Sequence, residues 1–310
     1  MTQALDSSAV DRVSLREAVA MFLRSREAIG CTAATLRTYR TDLSWICCAL
    51  RSETLDGLTA AAAEGLLAER RTEVQPISAH RTYRTLRTFC RWCARTGRLP
   101  TDPLVGIRMR VPKTLPRVPT NEDVSALLAA CAPTFQGRRN RLLVALAADS
   151  GLRKEELRHL RVTDLDPSTR CIRVVAGKGQ KDRVGFFGDA TASILRAWLA
   201  VHPDPRPPAF LFVTRRGRAL APYAFTLILY RLSARAGLPR KIGTHALRHY
   251  AATAILRNTG DLELTRRVLG HETLAMTLRY VALAQTEIAA RYHLASPLDR
   301  LSATSRRLLR

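Results

Sequence analysis

No stretch of this 310-residue chain approaches the roughly 18 consecutive apolar residues that would span a bilayer. No amphipathic segment carries a strong aromatic anchor, so a membrane-surface role has little support. The start, M-T-Q-A-L-D-S-S-A-V-D, lacks the basic head and apolar core of a secretory leader, which points to the cytoplasm. In a bacterium that compartment also holds the chromosome. Acidic residues are scarce, 26 against 50 basic ones, and the formal net charge is +24. Such an excess favours polyanions, because each phosphate neutralised releases condensed counterions. Lysine is scarcer still: Lys113, Lys154, Lys178, Lys181 and Lys241 are all there are, and the rest is arginine. Arginine's planar fork suits phosphate, although a GC-rich genome enriches it too, so the bias alone decides little. Internal repeats are also missing.

What is there is enough for two globular domains. The apolar fraction is 46%, and 310 residues allow each domain its own core. The seven cysteines are odd in number, which in a cytosolic chain argues against stable disulfides. Cys90 and Cys93 form a C-x-x-C that Cys47 and Cys48 could complete as a zinc site. Helical periodicity instead puts Cys90 and Cys93 on an apolar face, where thiols serve as small hydrophobes. No metal and no cofactor are expected.

The periodicity predicts helices over about 14–29, 33–50, 60–71 and 78–96, the first opened by a Ser14/Glu17 capping box and the last stopped by Gly97. Along the fourth run Arg81, Arg84, Arg87, Arg91 and Arg95, and opposite them Tyr83, Leu86, Cys90 and Cys93. No acid lies between residues 77 and 98, so this stripe is read as a phosphate-contacting face rather than a merely solvated one. Residues 98–120 hold five prolines and read as a basic interdomain linker, one that would let two domains clamp a duplex. Beyond it the pattern is mixed, giving a mainly α chain with a small antiparallel sheet (α+β). Helices are expected near 121–131, 138–149, 153–160, 190–201, 222–236, 245–257, 261–269 and 273–293. Strands are expected at 171–176, 183–187 and 210–214, the first two joined by a Gly-containing hairpin.

Five short phrases in the second half carry the candidate chemistry: G-L-R-K-E-E-L, G-K-G-Q-K-D-R, H-A-L-R-H, L-G-H-E and T-L-R-Y. Arg153 could be an ordinary surface arginine with Glu156 three residues on. His245 and Arg248 share one face of a helix expected to be capped by Thr244, and can converge on one phosphate. Lys178 sits between two glycines that permit close backbone approach to DNA. Of the late tyrosines, Tyr292 is explained by packing on Ile288, and Tyr250 fits a structural role. Tyr280 projects roughly 120° from an apolar stripe of Leu274, Leu278 and Val281.

In order and spacing these phrases resemble the tyrosine recombinase (phage integrase) family, of the Xer-like or transposon-integrase type without an arm-binding domain. The resemblance implies cleavage and rejoining of double-stranded DNA through a 3′-phosphotyrosine. It makes Arg153 and Arg248 the two phosphate-binding arginines, Glu156 a supporting acid and His245 the partner of Arg248. It makes Lys178 the general acid for the 5′ hydroxyl, with Lys181 as the alternative, His271 a donor to the phosphate and Tyr280 the nucleophile. Lys181 and Arg183 join the helical stripe as DNA-binding candidates. Residues 12–108 would be a helical, SAM-like core-binding domain, 109–119 a linker, 120–293 the catalytic domain and 294–310 a tail. The family works as a homotetramer on DNA, in some members with a directionality factor. The chain departs from the frequent T-x-x-Y-x-H ending, having Ala282 in the last place. A recombinase turned catalytically silent regulator and a type IB topoisomerase-like nicking enzyme are the alternatives.

Overall fold

A computed structural model describes residues 13–110, 117–175, 182–206, 208–278 and 280–281. The chain divides into two compact units, residues 1–114 and 115–310. Both are mainly helical. No helix among the described residues is long and apolar enough to cross a membrane.

The first unit is built from α1 (Leu15–Ala28), α2 (Ala33–Ala49), α3 (Ala60–Glu73) and α4 (Pro76–Arg95). The Ser14, Thr32 and Thr59 hydroxyls cap the first three, and Pro76 starts the fourth, where its missing N–H costs nothing. Phe22, Leu43, Ile46, Leu86 and Phe89 are fully buried among them, with the Phe22 ring edge-on to Phe89 and Trp92. Cys90 and Cys93 lie in this core, where burial pushes both thiols up, Cys93 to about 12. They pack as hydrophobes.

The core also holds one carboxylate. Asp42 of α2 is fully buried and accepts from Arg81 Nη2 at 3.0 Å, Thr85 Oγ1 at 2.8 Å and Thr82 Oγ1 at 3.3 Å. An unpaired charge there would cost several kcal/mol, so Arg81 is bound to its own domain. The absence of acids within α4 was therefore misleading, because the counter-ion comes from another helix.

The second unit is organised around α6 (Phe135–Asp149), whose residues 142–148 are all buried, as suits a helix covered on every side. Against it pack α5 (Asn121–Ala129), α8 (Asp189–Leu199) and α10 (Thr244–Thr259). α7 (Lys154–His159), α9 (Ala224–Arg235), α11 (Leu262–Leu269) and α12 (Leu274–Leu278) complete the described α-helices. Three short strands, β1 (Leu165–Asp166), β2 (Cys171–Val174) and β3 (Arg183–Phe186), form an antiparallel sheet in that order. Ile172 faces Gly185 in its register.

Several expectations shift here. The run 210–214 is no strand: Phe210 and Val213 make only isolated bridges, to Arg161 and Ala219. Leu211, Phe212 and Val213 are apolar because they are buried, which periodicity cannot separate from strand formation in so short a run. Gly243, not Thr244, is the N-cap of α10. The expected helix 273–293 is α12 up to Leu278, and residues 282–293 lie outside those described.

Candidate active site

The site begins where α6 ends. Gly151 stands at φ +61°, and an added Cβ would come within 2.7 Å of Leu269, so the turn needs glycine for conformation and for space. Arg153 follows as N-cap of α7. Glu156 returns Oε2 to the Arg153 amide at 2.6 Å and Oε1 to its guanidinium at 2.9 Å. Arg183, the first residue of β3, donates to the same carboxylate at 2.9 Å. Burial alone would raise the Glu156 carboxyl. The charges of Arg183 and Arg153 and the Arg153 amide outweigh it, and the group titrates below its ordinary range.

The end of α11 gathers the arginines. Val268 O accepts from Arg183 Nη1 at 2.8 Å, Leu269 O from Arg248 Nη2 at 2.7 Å, Gly270 O from Arg153 Nη2 at 3.0 Å and His271 O from Arg266 Nη1 at 2.8 Å. These successive carbonyls lack intrahelical partners and sit at the negative end of the helix dipole, so cations are favoured there. Gly270, at φ +63°, turns the chain, and a Cβ on it would lie 2.4 Å from Arg183. Arg248 also donates to Gly151 O at 2.5 Å, which ties α10 to the α6–α7 turn. Only 6% of Arg248 is exposed, against 31% of the Arg153 side chain, so Arg153 is the more open of the two. Burial, with Arg153 and Arg183 nearby, brings Arg248 down to about 10; it remains a cation at neutral pH.

His245 is exposed at the start of α10, and partial desolvation, Arg248 and Lys154 hold its imidazole below the ordinary value. His271 is buried, with Nδ1 and Thr277 Oγ1 2.9 Å apart. Tyr280 lies beyond the end of α12 and is only 2% exposed. The predicted orientation is inverted: Leu274 and Leu278 are exposed, whereas the phenol is inside, with Tyr280 in a turn. The Tyr280 ring stacks on His271 (6.2 Å between centroids, 9° between planes). Its hydroxyl lies 2.9 Å from Nδ1 of His249.

Arg153, Glu156, His245, Arg248, His271 and Tyr280, remote in sequence, thus come to one locality. Lys178 and Lys181 lie outside the described residues. Arg183, also expected on the DNA, has its two terminal nitrogens on Glu156 and Val268 O. On α4, Arg81 is tied to Asp42, Arg87 donates to the Tyr83 hydroxyl and Arg91 lies 3.7 Å from Asp102, so these three are not simply awaiting an anion. Arg84 and Arg95 are exposed, and among the described residues no acid pairs with them. His249 was missed, although H-A-L-R-H contains it one helical turn after His245.

Such a site can hold a tetrahedral anion between fixed cations next to a phenol, a group able to act as a nucleophile. The Phage integrase family matches residues 117–287. The chain is 37% identical over 224 residues to the tyrosine recombinase XerC of Mycobacterium sp. (strain KMS), covering 68% of this chain and 74% of that protein. Its fold is similar to that of the XerH site-specific recombinase bound to palindromic difH substrate in a post-cleavage complex. That match has a TM-score of 0.71 and 20% identity, and covers 92% of this chain and 85% of that one. A lambda integrase tetramer bound to a Holliday junction is similar in fold with a TM-score of 0.74 and 17% identity, covering 88% and 78% respectively.

Proposed function

The chain belongs to the phage integrase family and is a site-specific tyrosine recombinase; on that premise we propose that Tyr280 is its nucleophile. The phenolic oxygen attacks a phosphodiester, the 5′ oxygen of the deoxyribose leaves, and the strand is held as a 3′-phosphotyrosine. The bond energy stays in that ester, so rejoining needs no nucleotide hydrolysis. Arg153 and Arg248 stabilise the charge that builds on the non-bridging oxygens. His245 and His271 supply further hydrogen bonds, Lys178 protonates the leaving oxygen, and Glu156 with Arg183 holds Arg153 in place. One observation carries the reading: the guanidinium groups of Arg153 and Arg248 are seated on adjacent carbonyls, Gly270 and Leu269, and the residue after Arg248 holds the Tyr280 hydroxyl. The phenol is buried, so attack requires the pocket to open to the phosphate with the Tyr280–His249 pair kept together.

Double-stranded recombination sites are the substrate, with the α4 stripe around Arg84 and Arg95 contacting phosphates from residues 12–108. The working assembly is a homotetramer spanning two sites. It is supported by the fold shared with a tetrameric integrase and by the exposed apolar Leu264, Leu274, Met276 and Leu278 on α11 and α12. The cytoplasm, where such DNA lies, is its compartment, and a directionality factor is not required by the chemistry. The test is a suicide substrate carrying a nick beside the cleavage site. Wild type should accumulate a covalent protein–DNA adduct and Tyr280→Phe none. An adduct in the phenylalanine variant would remove Tyr280 from the role. No adduct in either protein would favour a catalytically silent regulator, and relaxation without strand exchange a topoisomerase.

A further inference from the structure

The nucleophile must lose a proton as it attacks, and a phenol gives it up reluctantly near neutral pH, its ordinary pKa being about 10. The arginines lower the cost of the phenolate but cannot accept the proton. Glu156, the acid of the site, is engaged by Arg153 and Arg183. His249 differs from these groups. Its Nδ1 is 2.9 Å from the Tyr280 oxygen, and its ring lies 5.6 Å from the tyrosine ring at 50°, edge-inclined rather than stacked. It is also the residue after Arg248, so the helical turn that places the phosphate-binding guanidinium places this imidazole too. His245 stands one turn earlier on α10. His271 stacks on the same phenol, with its Nδ1 turned to Thr277.

We infer that His249 is a catalytic residue of this recombinase, the base that takes the Tyr280 proton through Nδ1 as the phosphotyrosine forms. In that step the bond from Oη to phosphorus forms and the bond from phosphorus to the 5′ oxygen breaks. The phenolic proton moves to Nδ1, and the leaving oxygen is protonated by the general acid assigned to Lys178. The imidazole must carry its own proton on Nε2 beforehand. In the rejoining step the imidazolium returns its proton to the departing phenolate. The inference rests on Tyr280 being the nucleophile.

The test compares single-turnover cleavage of the suicide substrate by full-length variants whose DNA binding and circular dichroism match wild type. His249→Ala should cleave about 10²-fold more slowly, the usual contribution of a positioned base. His249→Asn, which can still accept the phenolic hydrogen bond but is not basic, should be equally slow. The same variants are then made with a fluorinated, more acidic tyrosine at position 280. A base matters less when the proton is easier to lose, so the deficit should shrink to under about tenfold. Restoration of the wild-type rate by His249→Asn, a deficit indifferent to phenol acidity, or no deficit at all would overturn the proposal. Tyr280→Phe runs alongside: an adduct there would refute the nucleophile, whereas its absence upholds Tyr280 and lets the other arms decide for or against His249.

Discussion

Both units are rich in arginine, yet they use it in opposite ways. In the second unit Arg153, Arg183 and Arg248 are wholly or largely withdrawn from water and held by Glu156 and by carbonyls at the end of α11. On α4 of the first unit Arg84, Arg91 and Arg95 lie within about 40° of one another around the helix, at 100° per residue, and face solvent. A cation in a low-dielectric site acts strongly on charge that develops beside it, and no reorganisation is needed at the moment of reaction. A cation in water acts weakly and additively through counterion release. On the proposed function, the first arrangement would serve chemistry and the second affinity.

The contrast is sharpest at Arg248. Arg248→Ala should slow cleavage by roughly 10³-fold, the cost of removing a preorganised donor, while duplex affinity changes little. Arg248→Lys should rescue it poorly, since a point charge cannot span Gly151 O and Leu269 O together. Single-turnover cleavage beside an equilibrium binding assay reads both, and a loss of affinity alone would erase the distinction between the regions.

Glu156 holds two of the buried cations, so Glu156→Gln should destabilise the second unit by about 3 kcal/mol near neutral pH, the cost of breaking a buried ion pair. The folded carboxyl titrates below its ordinary value of 4.5. Its contribution is therefore complete above about pH 4.5 and is lost as the pH falls through the lower folded value. Thermal melts should show the wild type and Glu156→Gln converging on acidification below that point. Curves that stay parallel would mean that the charge of Glu156 contributes nothing.

The smallest effect is expected on α4. Arg84→Ala with Arg95→Ala should leave stability within about 0.5 kcal/mol. The slope of log affinity against log salt should become shallower by about 2, at roughly 0.9 for each phosphate no longer neutralised. An unchanged slope would make the stripe a solvated face and nothing more.

The helical order of both units was legible because cap residues and apolar periodicity act locally. Ser14 caps the first helix as expected, and Gly97 follows the end of the fourth. The strand assigned to 210–214 was not legible, since burial and ladder formation leave the same apolar run. The family chemistry was readable in short phrases, yet the partners of the charges were not. Asp42 is 39 residues from Arg81, and Val268 is 85 from Arg183. His249 was visible within its phrase but had no assigned job until Tyr280 was found against it.

Residue types and their spacing by themselves determined the class of reaction, because breaking and resealing a phosphodiester demands a nucleophile, cations and proton-transfer groups, each with its own local turn or helix. Only the tertiary structure decided which cations are committed to the protein and where the phenol rests. Those outcomes depend on which distant carbonyls and carboxylates arrive within hydrogen-bond reach, and desolvation makes such encounters matter once the chain has closed around them.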